Sequence, residues 1–264
     1  MANRLTEALE EKKVLIGMQA FSGSPTFVEL LGATGFDWVS LDMEHSASTF
    51  ETVVQMARAA DAYGIIPLVR IAENDPSLIL HALDTGAAGI IIPHCNNADE
   101  LRQAVAACRY PPDGIRGKCQ TVRGARYGIG RWDELYRKLN SEVIVVPLIE
   151  EREAVEDIDA MLKVDGVDVY FLAVGDLGQN YGFPGASFEH PGMRAIAMEV
   201  VEKANKAGKA MMIPVSPKLE PEYCDYLVDL GFRLLSYGTD IRVFERTCTK
   251  AVNHLAKIRE RLSK

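Results

Sequence analysis

The chain has 264 residues, 48% hydrophobic and 25% charged, the composition of a globular protein long enough to bury a full core. It carries 29 Lys and Arg against 37 Asp and Glu, a formal net charge of −8 that repels nucleic-acid phosphates and gives no attraction to anionic lipid. Nucleic acid and membrane are therefore excluded as expected partners. Five cysteines, Cys95, Cys108, Cys119, Cys224 and Cys248, include no C-x-x-C pair, which suits packed thiols in a reducing compartment. The opening stretch MANRLTEALEEKK lacks an apolar core, and no apolar run reaches the roughly 18 residues of a membrane span. The expectation is a cytoplasmic protein.

Apolar strand candidates alternate with helix-period segments from end to end. Strand Val14–Gln19 precedes helix Thr26–Gly32, and Trp38–Leu41 precedes Phe50–Tyr63. Ile65–Arg70 leads to Pro76–Leu83, and Gly89–Ile92 to Ala98–Cys108. A long irregular stretch, Tyr110–Arg131, holds five Gly and five Arg or Lys, a pattern suited to an anionic ligand or a subunit contact. Strand Val143–Ile149 then precedes Arg152–Leu162, and Asp168–Ala173 precedes Met193–Ala207. Ala210–Pro214 leads to Pro221–Leu230, and Arg233–Tyr237 to Ile241–Leu262. Most strands are apolar on both faces, as parallel strands covered on both sides must be. Eight such units over residues 1–264 predict a single (β/α)8 TIM barrel domain. A doubly wound sheet fits less well, because no G-x-G-x-x-G follows the first strand.

In a barrel, chemistry gathers at the C-terminal ends of the strands. There the sequence places Asp42, Glu44 and His45 after the second strand and Arg70 at the end of the third. His94 follows the fourth strand, Glu150 and Glu151 the fifth, and Asp176 the sixth. Glu150 and Asp176, one βα repeat apart, suit a hard divalent cation with open positions, although acids at such places also serve as helix N-caps. His45, beside two acids, suits a general acid/base near neutral pH. His94, between Pro93 and Cys95, reads more as a packed strand end. Arg70 inside an apolar barrel needs an anion, either an acid such as Glu44 or a substrate carboxylate or enolate. No Lys falls at a strand tip, which disfavours a Schiff base, and no serine elbow is present.

Five segments carry a resemblance: GFDWVSLDMEHS (35–46), VRIAENDPSLILHALDTGAAGIIIPHCNNADE (69–100), RYPPDGIRG (109–117), IEEREAVEDID (149–159) and VDGVDVYFLAVGDL (164–177). The chain resembles the HpcH/HpaI aldolases, metal-dependent class II pyruvate aldolases of sugar-acid and aromatic-acid breakdown, over nearly its whole length. The resemblance implies a reversible aldol cleavage of a 4-hydroxy-2-oxo acid to pyruvate, or a close 2-oxo acid, and an aldehyde. It implies Glu150 and Asp176 as ligands of a divalent cation, Mg2+ or Mn2+ before Co2+ or Zn2+. His45 becomes the acid/base, Arg70 the enolate stabiliser, and Asp84 the residue that orients His45, with a subunit boundary as one route. Asp42 and Glu44 would hold metal-bound waters, and the amides of Gly175 and Asp176 the substrate carboxylate. It further implies a homohexamer, a trimer of dimers, with the C-terminal helix exchanged between subunits. Members commonly carry Gly-Pro-Ala-Asp-Leu where this chain has Ala173-Val174-Gly175-Asp176-Leu177, and often Gln where it has Leu148. Alternative activities are an oxaloacetate-type decarboxylase or tautomerase on the same site, and a Claisen-type CoA-thioester lyase or transferase.

Overall fold

A computed structural model describes residues 4–11, 13–215 and 220–263. Eight parallel strands close into a barrel in sequence order. They are β1 (Leu15–Ala20), β2 (Trp38–Asp42), β3 (Ile66–Arg70), β4 (Gly89–Ile92), β5 (Ile144–Ile149), β6 (Val169–Leu172), β7 (Ala210–Pro214) and β8 (Phe232–Thr239). The (β/α)8 expectation is met, and each expected strand is found within two residues of its bounds.

Alternation along the strands divides the apolar residues between two compartments. Trp38, Leu68, Ile91, Val146, Phe171, Met212 and Leu234 point inward and form one cluster that fills the barrel. Val39, Val69, Ile90, Val145, Tyr170 and Ile213 point outward into the second cluster, under the helices. Burial on both faces explains why these strands read as continuous apolar runs. The Trp38 ring occupies space that Gly17 leaves empty: a Cβ there would lie 2.0 Å from Trp38 Cδ2. A short helix, α1 (Arg4–Glu10), adds Leu5 and Ala8 to the interior cluster and so covers the N-terminal end of the barrel.

The surrounding helices are α2 (Pro25–Ala33), α3 (Phe50–Tyr63), α4 (Pro76–Asp84), α5 (Ala98–Cys108), α6 (Trp132–Glu142), α7 (Arg152–Glu156), α8 (Ile158–Met161), α9 (Val174–Asn180), α10 (Pro191–Lys206), α11 (Pro221–Leu230) and α12 (Asp240–Leu262). Several begin on side-chain caps at the C-terminal end of the barrel. Thr49 accepts the N–H of Thr52, Asp75 those of Ser77 and Leu78, and Asn97 those of Asp99 and Glu100. Helices α1, α6 and α9 were not expected from the sequence. The Arg-rich stretch before α6 follows α5 and therefore lies at the N-terminal end of the barrel, away from the mouth. Three of its arginines bind within the chain there: Arg116 to Asp84, Arg123 to Asp61 and to the carbonyl of Thr85, and Arg131 to Asp133. It does not supply cations to this chain's own mouth. Among the described residues, no helix is long and apolar enough to cross a membrane.

Candidate active site

The register of β2 against β3 places Asp42 opposite Arg70 at the last rung of both strands. Arg70 Nε donates to Asp42 Oδ1 at 2.5 Å, and its Nη1 lies 3.1 Å from Glu44 Oε2. The guanidinium also sits over the Phe21 ring, 5.2 Å from its centroid. Its Nη2 is buried without a hydrogen-bond partner. Burial of an Arg requires a compensating anion, and two carboxylates provide it. Asp42 is fully buried, and its second oxygen accepts the backbone N–H of His45 at 2.9 Å. That bond turns the chain after β2. Glu44 is left facing inward, with its side chain 7% exposed, and His45 facing the opening, 60% exposed. His45 Nε2 is 3.7 Å from Glu44 Oε2.

A second group comes from the tips of β4 and β5. Glu150 is buried, and its Oε1 accepts the backbone N–H of His94 at 2.7 Å. Burial pushes the Glu150 carboxyl above its ordinary value; the negative charges of Glu44 and Asp176 add to the rise, while the His94 N–H opposes it. The His94 ring reaches over this acid toward Glu44 and Glu151. Its Nδ1 is 2.9 Å from Glu151 Oε1, a bond that raises the imidazole pKa despite partial burial. Glu44, His94 and Glu150 each offer one ligand atom, and the three lie within 4.8 Å of one another. Asp176 stands exposed in the first turn of α9, where the N–H groups of Gly175 and Asp176 have no partner within the helix. A cavity of about 460 Å3 opens beside it, bordered by Gln19, Arg70, Leu148, Phe171, Gly175 and Asp176. Two acids held close, one of them buried and resisting ionisation, beside a partnerless guanidinium nitrogen, make a donor set that fits a divalent cation and an anionic ligand.

The expected residues Asp42, Glu44, His45, Arg70, Glu150, Gly175 and Asp176 thus gather at one mouth. Asp84 does not. It ends α4 at the opposite end of the barrel and binds Arg116 Nη2 at 2.8 Å, so within one chain it cannot orient His45. Asp42 has no exposed surface, and its two oxygens accept from Arg70 Nε and the His45 N–H. Sequence reasoning undervalued His94. Its φ of 51° swings the ring into the mouth, a backbone state the flanking Pro93 and Cys95 do not reveal.

Comparison with known proteins shows the family. Residues 15–246 match the family model described as HpcH/HpaI aldolase/citrate lyase. A 4-hydroxy-2-oxo-heptane-1,7-dioate aldolase from Salmonella dublin is 34% identical over 250 residues, covering 93% of this chain and 92% of the relative. The solved structure of an HpcH/HpaI aldolase from Desulfitobacterium hafniense DCB-2 superimposes with a TM-score of 0.88 at 28% identity, covering 95% of this chain and 96% of that one. The citrate synthase SbnG superimposes with a TM-score of 0.86 at 26% identity, covering 97% and 98%. The matched region runs from β1 into α12 and spans every residue gathered at the mouth, so the chain belongs to the HpcH/HpaI aldolase/citrate lyase family.

Proposed function

We propose that the chain, acting as one barrel domain over residues 1–264, is a metal-dependent carbon–carbon lyase of the cytoplasm. It cleaves a 4-hydroxy-2-oxo acid reversibly to pyruvate, or a close 2-oxo acid, and an aldehyde. The observation that carries the proposal is the gathering at one mouth of Arg70, whose Nη2 is buried and unpartnered and whose Nη1 meets Glu44, with the acids Glu44 and Glu150. The name carried by relatives about one-third identical supports it.

Glu150 and Asp176, with Glu44 beside them, would hold the cation, Mg2+ or Mn2+ before Co2+ or Zn2+. The bound ion supplies Lewis-acid polarisation of the 2-oxo carbonyl. Arg70 presents Nη2 to the oxygen on which negative charge develops. Asp42 fixes that guanidinium in place, so no reorganisation is needed as charge forms. The free N–H groups of Gly175 and Asp176 bind the substrate carboxylate. His45, exposed at the rim, removes the proton of the C4 hydroxyl as the C3–C4 bond breaks and returns it in the addition direction. Asp84 enters this scheme only from a second copy of the chain, in a homohexamer built from dimers with α12 exchanged.

A panel of 4-hydroxy-2-oxo acids, assayed for pyruvate and aldehyde together, tests the proposal. Stoichiometric release of the two is expected. Release of CO2 from oxaloacetate alone, or of CoA from a thioester, would replace it with another activity.

A further inference from the structure

We infer that Gln19 is a specificity-determining residue: its side-chain amide hydrogen-bonds a hydroxyl group of the substrate, so the site selects hydroxylated partners over their alkyl counterparts. The inference rests on the aldolase proposal and names the substrate class within it.

The observation is a polar row in an interior that is apolar elsewhere below the mouth. Met18 and Ala20 pack outward under the helices, which turns Gln19 inward. Ser40 stands opposite it in the β1–β2 pair, and on the other side Gln19 Nε2 donates to Ser236 Oγ of β8 at 3.4 Å. Both serines are buried. The neighbouring interior is Leu68, Ile91, Phe171 and Met212. Polar groups in such a place cost stability unless their hydrogen bonds are met. Within the chain they are met poorly. The Gln19–Ser236 bond is longer than an ordinary hydrogen bond, and Ser40 Oγ is buried with no partner.

Gln19 is half-buried and borders the mouth cavity together with Arg70 of β3, Leu148 of β5 and Pro214 of β7. Residues from alternate strands make up one layer of a barrel, so the amide lies in the cavity floor beside the guanidinium. The β1–β8 register shifts between Gly17 and Gln19, an irregularity of the kind that re-aims a side chain next to an active site.

The chemistry of the amide names the group it reads. A hydroxyl both donates and accepts, so it pairs with the amide whichever way oxygen and nitrogen are turned. A carboxylate only accepts, and Asp176 and Glu189 on the same cavity oppose a further negative charge. An alkyl group would bury the amide unpaired, which is how a polar site rejects a methyl isostere. Two carbons can bring the hydroxyl to this floor: C3 of the oxo acid, or the carbon next to the aldehyde.

Aldol addition by the metal-loaded full chain, measured with pairs in which hydroxyl replaces methyl, tests the inference. In one arm 3-hydroxypyruvate is set against 2-oxobutanoate, with acetaldehyde as the common acceptor. In the other glycolaldehyde is set against propanal, with pyruvate as the common oxo acid. The ratio of kcat/KM for the hydroxyl member over the methyl member is compared in wild type, Gln19→Met and Gln19→Asn. Met keeps the length of Gln without its amide, and Asn withdraws the amide by one methylene. In at least one arm the ratio should fall at least about tenfold in each variant, and that arm tells which half carries the hydroxyl. A smaller change in both arms would overturn the inference, and either variant decides if the other does not fold. The ratio cancels any loss common to all substrates, such as a smaller folded fraction. A wild type that prefers the methyl member in both arms overturns it with no variant at all. Aldol product with unchanged ratios leaves the aldolase proposal standing and removes this one. No aldol product from any pair removes both.

Discussion

Arg70 and Asp42 form a buried ion pair across adjacent strands, with Nε and Oδ1 at 2.5 Å and the carboxylate wholly shielded from water. Deleting either member strands a charge, so Arg70→Ala confounds catalysis with stability. Asp42→Asn should destabilise the fold by on the order of 3 kcal/mol, the cost of breaking such a pair. Arg70→Lys keeps the charge but loses the planar fork. It should lower kcat about 10²–10³-fold, because the lost donor acts on charge that forms only in the transition state. Steady-state kinetics with denaturant melts on both variants check this. A Lys variant with wild-type kcat and raised KM would make Arg70 a carboxylate anchor alone.

Chelation should abolish turnover, and added Mg2+ or Mn2+ should restore it. A metal-stripped enzyme with full activity would remove the class II assignment. The metal-free fold should also show the strain of Glu150. Its folded pKa is raised above the ordinary 4.5, chiefly by burial. The folded state therefore binds that proton more tightly than the unfolded chain, and its stabilising effect is lost as pH climbs from about 4.5 through the folded value. In chelator, Glu150→Gln should melt above the wild type at neutral pH, with the gap closing toward pH 4.5. Cation should reverse the order by stabilising only the wild type.

The barrel was legible because strands buried on both faces and helices with one apolar face leave unmistakable periods. Residues at strand tips were legible for the same reason: Arg70, Glu150 and Asp176 each end an apolar run. What the sequence hid was direction. A single left-handed residue moves His94 from a strand end into the mouth. Asp42 reads as one acid among three until the β2–β3 register pairs it with Arg70. The arginines of the Tyr110–Arg131 stretch read as suited to an anionic ligand or a subunit contact, and a loop that follows a helix returns to the far end of the barrel, away from a ligand in this chain's own mouth. There Arg116 and Arg123 spend their charge on Asp84 and Asp61.

The cysteines should divide by environment. Burial pushes the thiols of Cys95 and Cys108 up to about 12, so neither forms thiolate at neutral pH. Cys119 shares a hydrogen bond with Thr121 at 3.3 Å, and its thiol is shifted below the ordinary value. An aromatic disulfide reagent at pH 7.5 should label Cys119 first. Cys95 and Cys108 should react only after unfolding, as peptide mass mapping would show. Early labelling of Cys95 would mean that the barrel opens more readily than its packing indicates.

Helix α12 presents Ile241, Phe244, Val252, Leu255 and Leu262 to solvent, and the only fully buried residue it contributes is Asp240. An apolar face of that size on one chain calls for a second one. Light scattering should show an oligomer at micromolar concentration, and Phe244→Glu with Leu255→Glu should dissociate it. A monomeric wild type would end the argument. The route from Asp84 to His45 can be tested by mixing. If the pair forms between copies, unfolding and refolding together Asp84→Asn and His45→Ala chains restores about a quarter of the sites, those that draw an intact residue from each chain. No recovery would confine Asp84 to its bond with Arg116.

His45 is held at its backbone by Asp42 and stands open at its ring, 3.7 Å from Glu44. That arrangement suits a group that exchanges protons with a substrate entering from solvent. Two half-reactions call on different parts of the mouth. Exchange of the C3 protons of pyruvate needs the cation and Arg70, while cleavage also needs a proton taken from the C4 hydroxyl. His45→Ala should therefore slow cleavage by about 10²–10⁴-fold, the usual loss for a positioned acid/base, and slow C3 exchange far less. Pyruvate release and deuterium wash-in at C3 measure both on one preparation. Equal losses would show that His45 serves enolisation as well, or acts only by steadying Glu44, and the role of cleavage base would pass to another group at the rim.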